Sequence, residues 1–230
     1  MRQPFRRVAL IGAAACAAAV VASRTAASTP AVDRSAPAQA RAAVPAAPAE
    51  SLFVGRTRGS PGARVTVYEL SDFQCPFCRR FATETWTTVD REYVTPGKVR
   101  WVFVNAPMPK LHPNAPRAAQ YATCARRQGK FWQMHDLLFA QQQDWARLSP
   151  PDSVLGVLAN SAGLDAARLE ACLHDPVTGA ELAQDAAFVA RLGFQGAPSF
   201  AADGRVVVLG AQPADSFRVA LDALLKAHKR

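Results

Sequence analysis

Regular alternation of apolar and polar residues first appears at Arg64-Val65-Thr66-Val67-Tyr68-Glu69-Leu70. Val65, Val67 and Glu69 share one face there, and the run is rich in β-branched residues, which predicts a strand. After Ser71-Asp72-Phe73-Gln74 the pattern changes. From Cys75 to Val94 there is no Gly, and the single Pro is Pro76. A proline suits the first position of a helix because its φ is fixed and its missing N–H would be unpaired there, so Cys75 is the expected N-cap and Pro76 opens the helix. A second alternating run, Lys98–Val104, predicts another strand, which the Pro-rich stretch 106–116 ends. Helical patterns follow over Pro116–Gln128, Lys130–Trp145, Pro151–Ala162, Asp165–His174 and Pro176–Leu192. Two short strands, Pro198–Ala201 and Arg205–Leu209, joined by Asp203-Gly204, read as a hairpin. The last helix, Ala214–His228, places Phe217, Leu221 and Leu224 on one face. Strand, helix, strand, helices, hairpin and helix in that order predict an α/β domain.

The first 50 residues differ from the rest. Arg2, Arg6 and Arg7 precede an apolar run from Val8 to Ala22, the length of an export signal's core and short for a membrane span. Small residues offer cleavage after Ala22 or Ala27, so residues 1–27 are expected to be a signal peptide. Cys16 follows three alanines in a loose lipobox, which leaves a lipid anchor open. Residues 28–50 are mostly Ala and Pro without an aromatic, a composition that cannot bury enough apolar surface to order itself. They are expected to be a disordered tether, and residues 51–230 one domain of ordinary size. Of the net charge of +9, four come from Arg2, Arg6, Arg7 and Arg24. What is left is spread out, with no Lys/Arg block interleaved with aromatics, so nucleic acid is not an expected partner.

Once Cys16 is set aside, four cysteines remain: Cys75, Cys78, Cys124 and Cys172. In an oxidising compartment two disulfides are possible in three connectivities. The close Cys75-Cys78 spacing makes one pair natural and leaves Cys124 with Cys172, the alternative for these two being buried thiols. A thiol at a helix N-terminus is more acidic than usual, because unpaired N–H groups and the positive end of the helix dipole favour the thiolate. Cys75 is then the nucleophile. Cys78, one turn deeper, is placed to resolve a mixed disulfide. An inert bridge and half of a zinc site are the competing readings. Zinc needs a partner pair, but no second C-x-x-C exists and His112, His135, His174 and His228 are scattered, so no metal is expected. His112 opens the Pro-rich loop, where an approach to the active site is open to it. Phe131, Trp132 and Leu138 read as core, and Arg79 and Arg80 as a solvated helix face.

Three blocks in order carry a resemblance: Glu69-Leu70-Ser71-Asp72-Phe73-Gln74-Cys75-Pro76-Phe77-Cys78, then His112-Pro113-Asn114-Ala115 through Cys124-Ala125 and Gly129 to Asp136, and Gly196-Ala197-Pro198-Ser199-Phe200. Together they resemble DsbA-like thiol:disulfide oxidoreductases of the thioredoxin superfamily. The resemblance implies a thioredoxin-like fold with an inserted helical subdomain at about 107–192. It also implies a cis Pro198 facing the cysteine pair and Ala197 backbone pairing with an extended substrate. Glu69 matches an acidic position beneath the active-site disulfide, where it would relay the Cys78 proton; the alternative is a solvent-facing residue on an edge strand. Ala197 departs from the Thr or Val commoner at that position.

The expected function is an exported oxidoreductase of the periplasm or cell envelope that introduces disulfides into unfolded or reduced exported proteins, without a cofactor. Pro76, Phe77, Ala197 and Pro198 would contact substrate. The resemblance assigns reoxidation to a membrane quinone-linked partner of the DsbB or vitamin K epoxide reductase type. The alternatives are a reductase or isomerase on the same fold, and a non-enzymatic peptide-binding or chaperone module with a structural Cys75-Cys78 bridge.

Overall fold

The computed structural model describes residues 50–228. The expected signal, Cys16 and nearly all of the Ala/Pro tract lie outside them. A short 3-10 turn (Glu50–Phe53) leads into β1 (Thr57–Arg58) and β2 (Val65–Ser71). The helical stretch 76–94 contains α1 (Pro76–Arg80) and α2 (Trp86–Val89), each followed by a wider π turn, Phe81–Thr85 and Asp90–Val94. After β3 (Val99–Asn105) come α3 (Ala115–Arg127), α4 (Phe131–Ala140), α5 (Gln142–Trp145), α6 (Asp152–Ser161), α7 (Ala166–His174) and α8 (Pro176–Arg191). The hairpin β4 (Ser199–Ala202) and β5 (Arg205–Leu209) precedes α9 (Ala214–Ala227).

The five strands form one mixed sheet in the order β1-β3-β2-β4-β5. β2 and β3 run parallel, with Glu69 beside Phe103 and Ser71 beside Asn105, and β4 joins β2 antiparallel. The central position of β2 buries both of its faces. That excludes a solvent-facing Glu69, whose relative exposure is 2%. The hairpin turns at Asp203 and Gly204, both with positive φ (51° and 71°), the conformation a tight two-residue connection demands.

On one sheet face Val65, Val67, Trp101 and Phe200 pack against Phe81, Phe217 and Leu221. On the other, Leu70, Val102 and Val104 pack against Phe188 and Val189 of α8. The last helix of the excursion 107–192 therefore covers the sheet itself. Buried Asp185 of α8 pairs with Arg56, and the Arg56 Nη2 also donates to the Leu52 carbonyl at 2.8 Å. Asn105 Nδ2 donates to the same carboxylate at 2.8 Å. This network ties the segment before β1 to β3 and α8. Helices α3, α4, α6 and α7 enclose a separate apolar cluster with Phe131, Met134, Leu138 and Leu158, and the Cys124–Cys172 disulfide joins α3 to α7 inside it. Among the described residues no helix is long and apolar enough to cross a membrane.

The expected helix Lys130–Trp145 is two helices, broken at Gln141 (φ −105°, ψ 25°). Leu138, Gln142 and Trp145 keep helical spacing across the break, which hides it from the sequence. The break has a use: the buried Gln142 side chain donates to the Phe73 and Cys75 carbonyls at 2.7 and 3.0 Å.

Candidate active site

Cys75 stands where β2 gives way to α1. Its backbone is extended (φ −70°, ψ 123°) while Pro76 already occupies the first helical position. Asp72 shapes the loop before it. Its Oδ1 accepts the N–H groups of Gln74 (2.7 Å) and Cys75 (3.2 Å), an Asx-type turn that aims the chain into the helix. The excursion grips the same loop from the far side: Gln74 Nε2 donates to the Ala146 carbonyl at 2.7 Å, and the Asn114 N–H donates to Gln74 Oε1 at 2.6 Å.

The two cysteines are free thiols in this structure. Cys75 is 2% exposed and Cys78 wholly buried, so the Cys75 sulfur lies recessed rather than exposed, beside Phe77 at 54%. The Cys75 thiol is lowered to about 6. The hydrogen bond from the Cys78 thiol does most of this, burial opposes it, and the N–H groups of Cys78 and Phe77 and the charge of His112 add to it. Cys78 moves the opposite way: burial first, then the neighbouring Cys75 sulfur, pushes its thiol up. The Asp72 N–H donates to Cys78 Sγ at 3.4 Å. One thiol is thus made more acidic and the other less so.

The peptide bond between Ala197 and Pro198 is cis. It brings the Ala197 carbonyl within 3.5 Å of Cys75 Sγ, from which it accepts a hydrogen bond. Beneath the pair, burial pushes the Glu69 carboxyl up, while the charge of His135 and the Trp101 N–H pull it down. Trp101 Nε1 donates to Glu69 Oε2 at 2.9 Å; Oε1 has no hydrogen-bond partner. Glu69 does not touch Cys78. The Ser71 hydroxyl, two residues along β2 on the same face, acts on both groups without a hydrogen bond of full geometry to either.

The structure therefore brings Ala197 and the adjoining Pro198 to Cys75, with Pro76, Phe77 and the buried Cys78 following it on α1 and Glu69 buried on β2. Cys124 and Cys172 lie apart as a disulfide in the helical cluster, with α-carbons 5.7 Å apart. Asp72, Ser71, Trp101 and Gln142 are site residues that the sequence did not single out. His112 reaches the site: its Nδ1 lies 2.9 Å from Asp72 Oδ2, which also accepts the Met108 N–H at 2.8 Å. Arg79, expected on a solvated face, donates through Nε to the Phe139 carbonyl at 3.1 Å and ties α1 to α4.

Comparison with known proteins places the fold. A probable disulfide bond formation protein D from Bacillus anthracis is 28% identical over 170 residues, covering 73% of this chain and 77% of that protein. The Na(+)/H(+) antiporter NhaA 3 of Salinispora tropica is 36% identical over 148 residues, which are 64% of this chain and 21% of the antiporter. The chain thus spans about a fifth of that relative's length. The crystal structure of oxidised BdbD from Bacillus subtilis superposes with a TM-score of 0.68 at 22% identity, covering 78% of this chain and 96% of that one. The thioredoxin family model matches residues 53–223, nearly the whole of the described domain, and the chain belongs to the thioredoxin family.

Proposed function

We propose that the protein is an exported thiol:disulfide oxidoreductase working in the oxidising direction, with Cys75 as the sulfur attacked by substrate and Cys78 as its resolving partner. One observation carries the direction: the Cys75 thiol is lowered to about 6 by the Cys78 hydrogen bond and the helix N–H groups. A stabilised thiolate favours the reduced enzyme, and an enzyme stable when reduced gives its disulfide away. A substrate thiolate attacks Cys75 in the Cys75-Cys78 disulfide, displacing Cys78 as thiolate. A second substrate thiolate then attacks the mixed disulfide and displaces Cys75, so the substrate is oxidised and the enzyme reduced by two electrons.

In this reading Glu69 exchanges a proton with Cys78 across Ser71: it protonates the buried Cys78 thiolate that substrate displaces, and takes the proton back when Cys78 ionises to re-form the disulfide. The recessed Cys75 is reached by an extended chain lying along Ala197 and Pro198, with Phe77 at its edge. Clients are unfolded or reduced exported proteins, and a membrane quinone-linked reoxidant restores the disulfide. The Bacillus anthracis relative, described as a probable disulfide bond formation protein, supports the same direction.

Refolding of reduced, unfolded ribonuclease tests this. Catalytic amounts of the oxidised protein with a glutathione buffer should restore ribonuclease activity, and Cys75→Ala should abolish the effect. Rapid reduction of insulin with no gain in ribonuclease refolding would assign the reductase reading, and no change in either assay would leave a binding module.

A further inference from the structure

His135 is absorbed by neither the fold nor the reaction as described. It lies on α4, is 3% exposed, and stands among aromatic rings: Trp132 and Phe139 at 5.0 Å, Phe103 at 5.2 Å and Phe73 at 5.9 Å between centroids. An ionisable ring in such a setting would ordinarily be replaced by a phenyl group. Its two nitrogens have different fates. Nδ1 lies 2.7 Å from Asp136 Oδ1, on a side chain that is 59% exposed. Nε2 is buried with no hydrogen-bond partner.

Glu69 Oε1 is likewise buried without a partner. Glu69 pairs in register with Phe103, whose ring meets His135 edge-on. Their charges act on one another. The demands of the two atoms are complementary. With Nδ1–H donating to Asp136, Nε2 offers a lone pair, and a protonated Glu69 offers an O–H. Buried polar atoms left alone are costly, and four lie in this region, Ser71 Oγ, Glu69 Oε1, His135 Nε2 and Trp132 Nε1, so a string of them running from the cysteine pair to His135 points to exchange rather than to packing.

We propose that His135 is a positioning residue for the redox reaction, controlling the proton on Glu69 and connecting this buried acid to solvent through Asp136. The inference rests on the reading of Glu69 as the proton acceptor for Cys78. When Cys78 ionises, its proton passes to the Glu69 carboxylate. His135 Nε2 takes it from Glu69 Oε1, by way of one exchanged water because the two atoms do not touch, and the Nδ1 proton leaves to Asp136 and solvent. Other groups at this exit are Arg58 of β1, with Nη2 3.7 Å from Asp136 Oδ2 and its guanidinium 4.4 Å from the Trp132 ring, and Asp90, 4.0 Å from Arg58. Trp101 contributes the only donor hydrogen bond found on Glu69 among the described residues.

The test follows Glu69 directly. Carbon-13 carboxyl NMR of the reduced protein gives the Glu69 titration, and stopped flow gives the rate at which Cys78 resolves a mixed disulfide between Cys75 and a cysteine peptide. His135→Phe removes the imidazole whose influence pulls the Glu69 carboxyl down, so the carboxyl titration should move to higher pH and resolution should slow by about tenfold or more below its midpoint. His135→Gln retains a donor to Asp136 without carrying a proton and should act in the same direction, which keeps the test open if the Phe variant fails to fold. Asp136→Asn, at the surface, should give a smaller change of the same sign. In a Glu69→Gln background, His135→Gln should slow resolution no further. An unmoved Glu69 titration in both His135 variants, or equal slowing with and without Glu69, would overturn the role of His135. A Glu69→Gln variant that resolves at the unmodified rate would overturn the relay on which that role depends.

Discussion

Two cysteine pairs share one apolar cluster and differ in nearly everything else. Cys124 and Cys172 come from the interiors of two helices, 48 residues apart, and the Thr178 hydroxyl lies 3.5 Å from Cys172 Sγ. Cys75 and Cys78 lie three residues apart at a helix start, beside the N–H groups of Phe77, Cys78 and Asp72 and within reach of the His112 charge. Burial is common to both pairs and so does not distinguish them. The difference lies in the donors, charges and loops around the sulfurs: the first pair has a long loop to close and little that favours a thiolate, the second a short loop and a prepared anion site.

The sharpest way to break this comparison is to remove one sulfur from the short pair. Cys78→Ala should accumulate mixed disulfides with client proteins at Cys75, visible as reductant-sensitive bands, whereas Cys75→Ala should accumulate none. Equal trapping by the two variants would erase the asymmetry between the sulfurs.

Next in size is the long loop. Replacing Cys124 and Cys172 together by Ala should cost about 4 kcal/mol in urea unfolding, the chain-entropy value for a closed loop of this length. Transfer of the Cys75-Cys78 disulfide to a peptide should stay within a few-fold of its original rate. A large loss of transfer rate with little loss of stability would mean that the roles of the two pairs had been exchanged.

How far this contrast was legible depends on how local each feature is. Cys75, Pro76 and Cys78 announce themselves within four residues, and β2, the hairpin and α9 follow from short-range periodicity. The partners that set the chemistry come from elsewhere. His112 meets Asp72 across 40 residues and Gln142 meets Cys75 across 67. No spacing rule connects such positions, because the contacts exist only once the excursion folds back on the loop. The two-residue β1 is too short to carry alternation. The identity of α8 as a cover for the sheet is hidden for another reason: its apolar residues have the same helical period whichever surface they meet. Glu69 reads as an anomaly in an apolar strand, but its Trp101 partner lies on the neighbouring strand.

A smaller effect concerns pH. Cys75 falls to about 6 in the folded reduced protein, against about 8.5 for an unfolded thiol. The resulting stabilisation is complete above the unfolded value and is lost as pH falls through 6. Oxidised protein has no such group. Between pH 4 and pH 7 the reduced form should therefore gain about 1 kcal/mol on the oxidised form, allowing for solvent screening at the rim. The Cys78 shift has the opposite sign, but it acts only near and above pH 8.5, where unfolded Cys78 ionises. Urea unfolding of both redox forms, with the Cys124–Cys172 bridge intact, reads the gap. His112→Asn should narrow it by removing one of the influences that lower Cys75.

The most direct test of the central claim is the reduction potential of each pair, measured in one titration against glutathione with alkylation and mass spectrometry to assign the thiols. The account predicts that Cys75-Cys78 titrates as an oxidant, at about −200 mV or less negative, while Cys124–Cys172 stays oxidised below about −300 mV. A Cys75-Cys78 potential near the thioredoxin value of about −270 mV, or two pairs that titrate together, would contradict it.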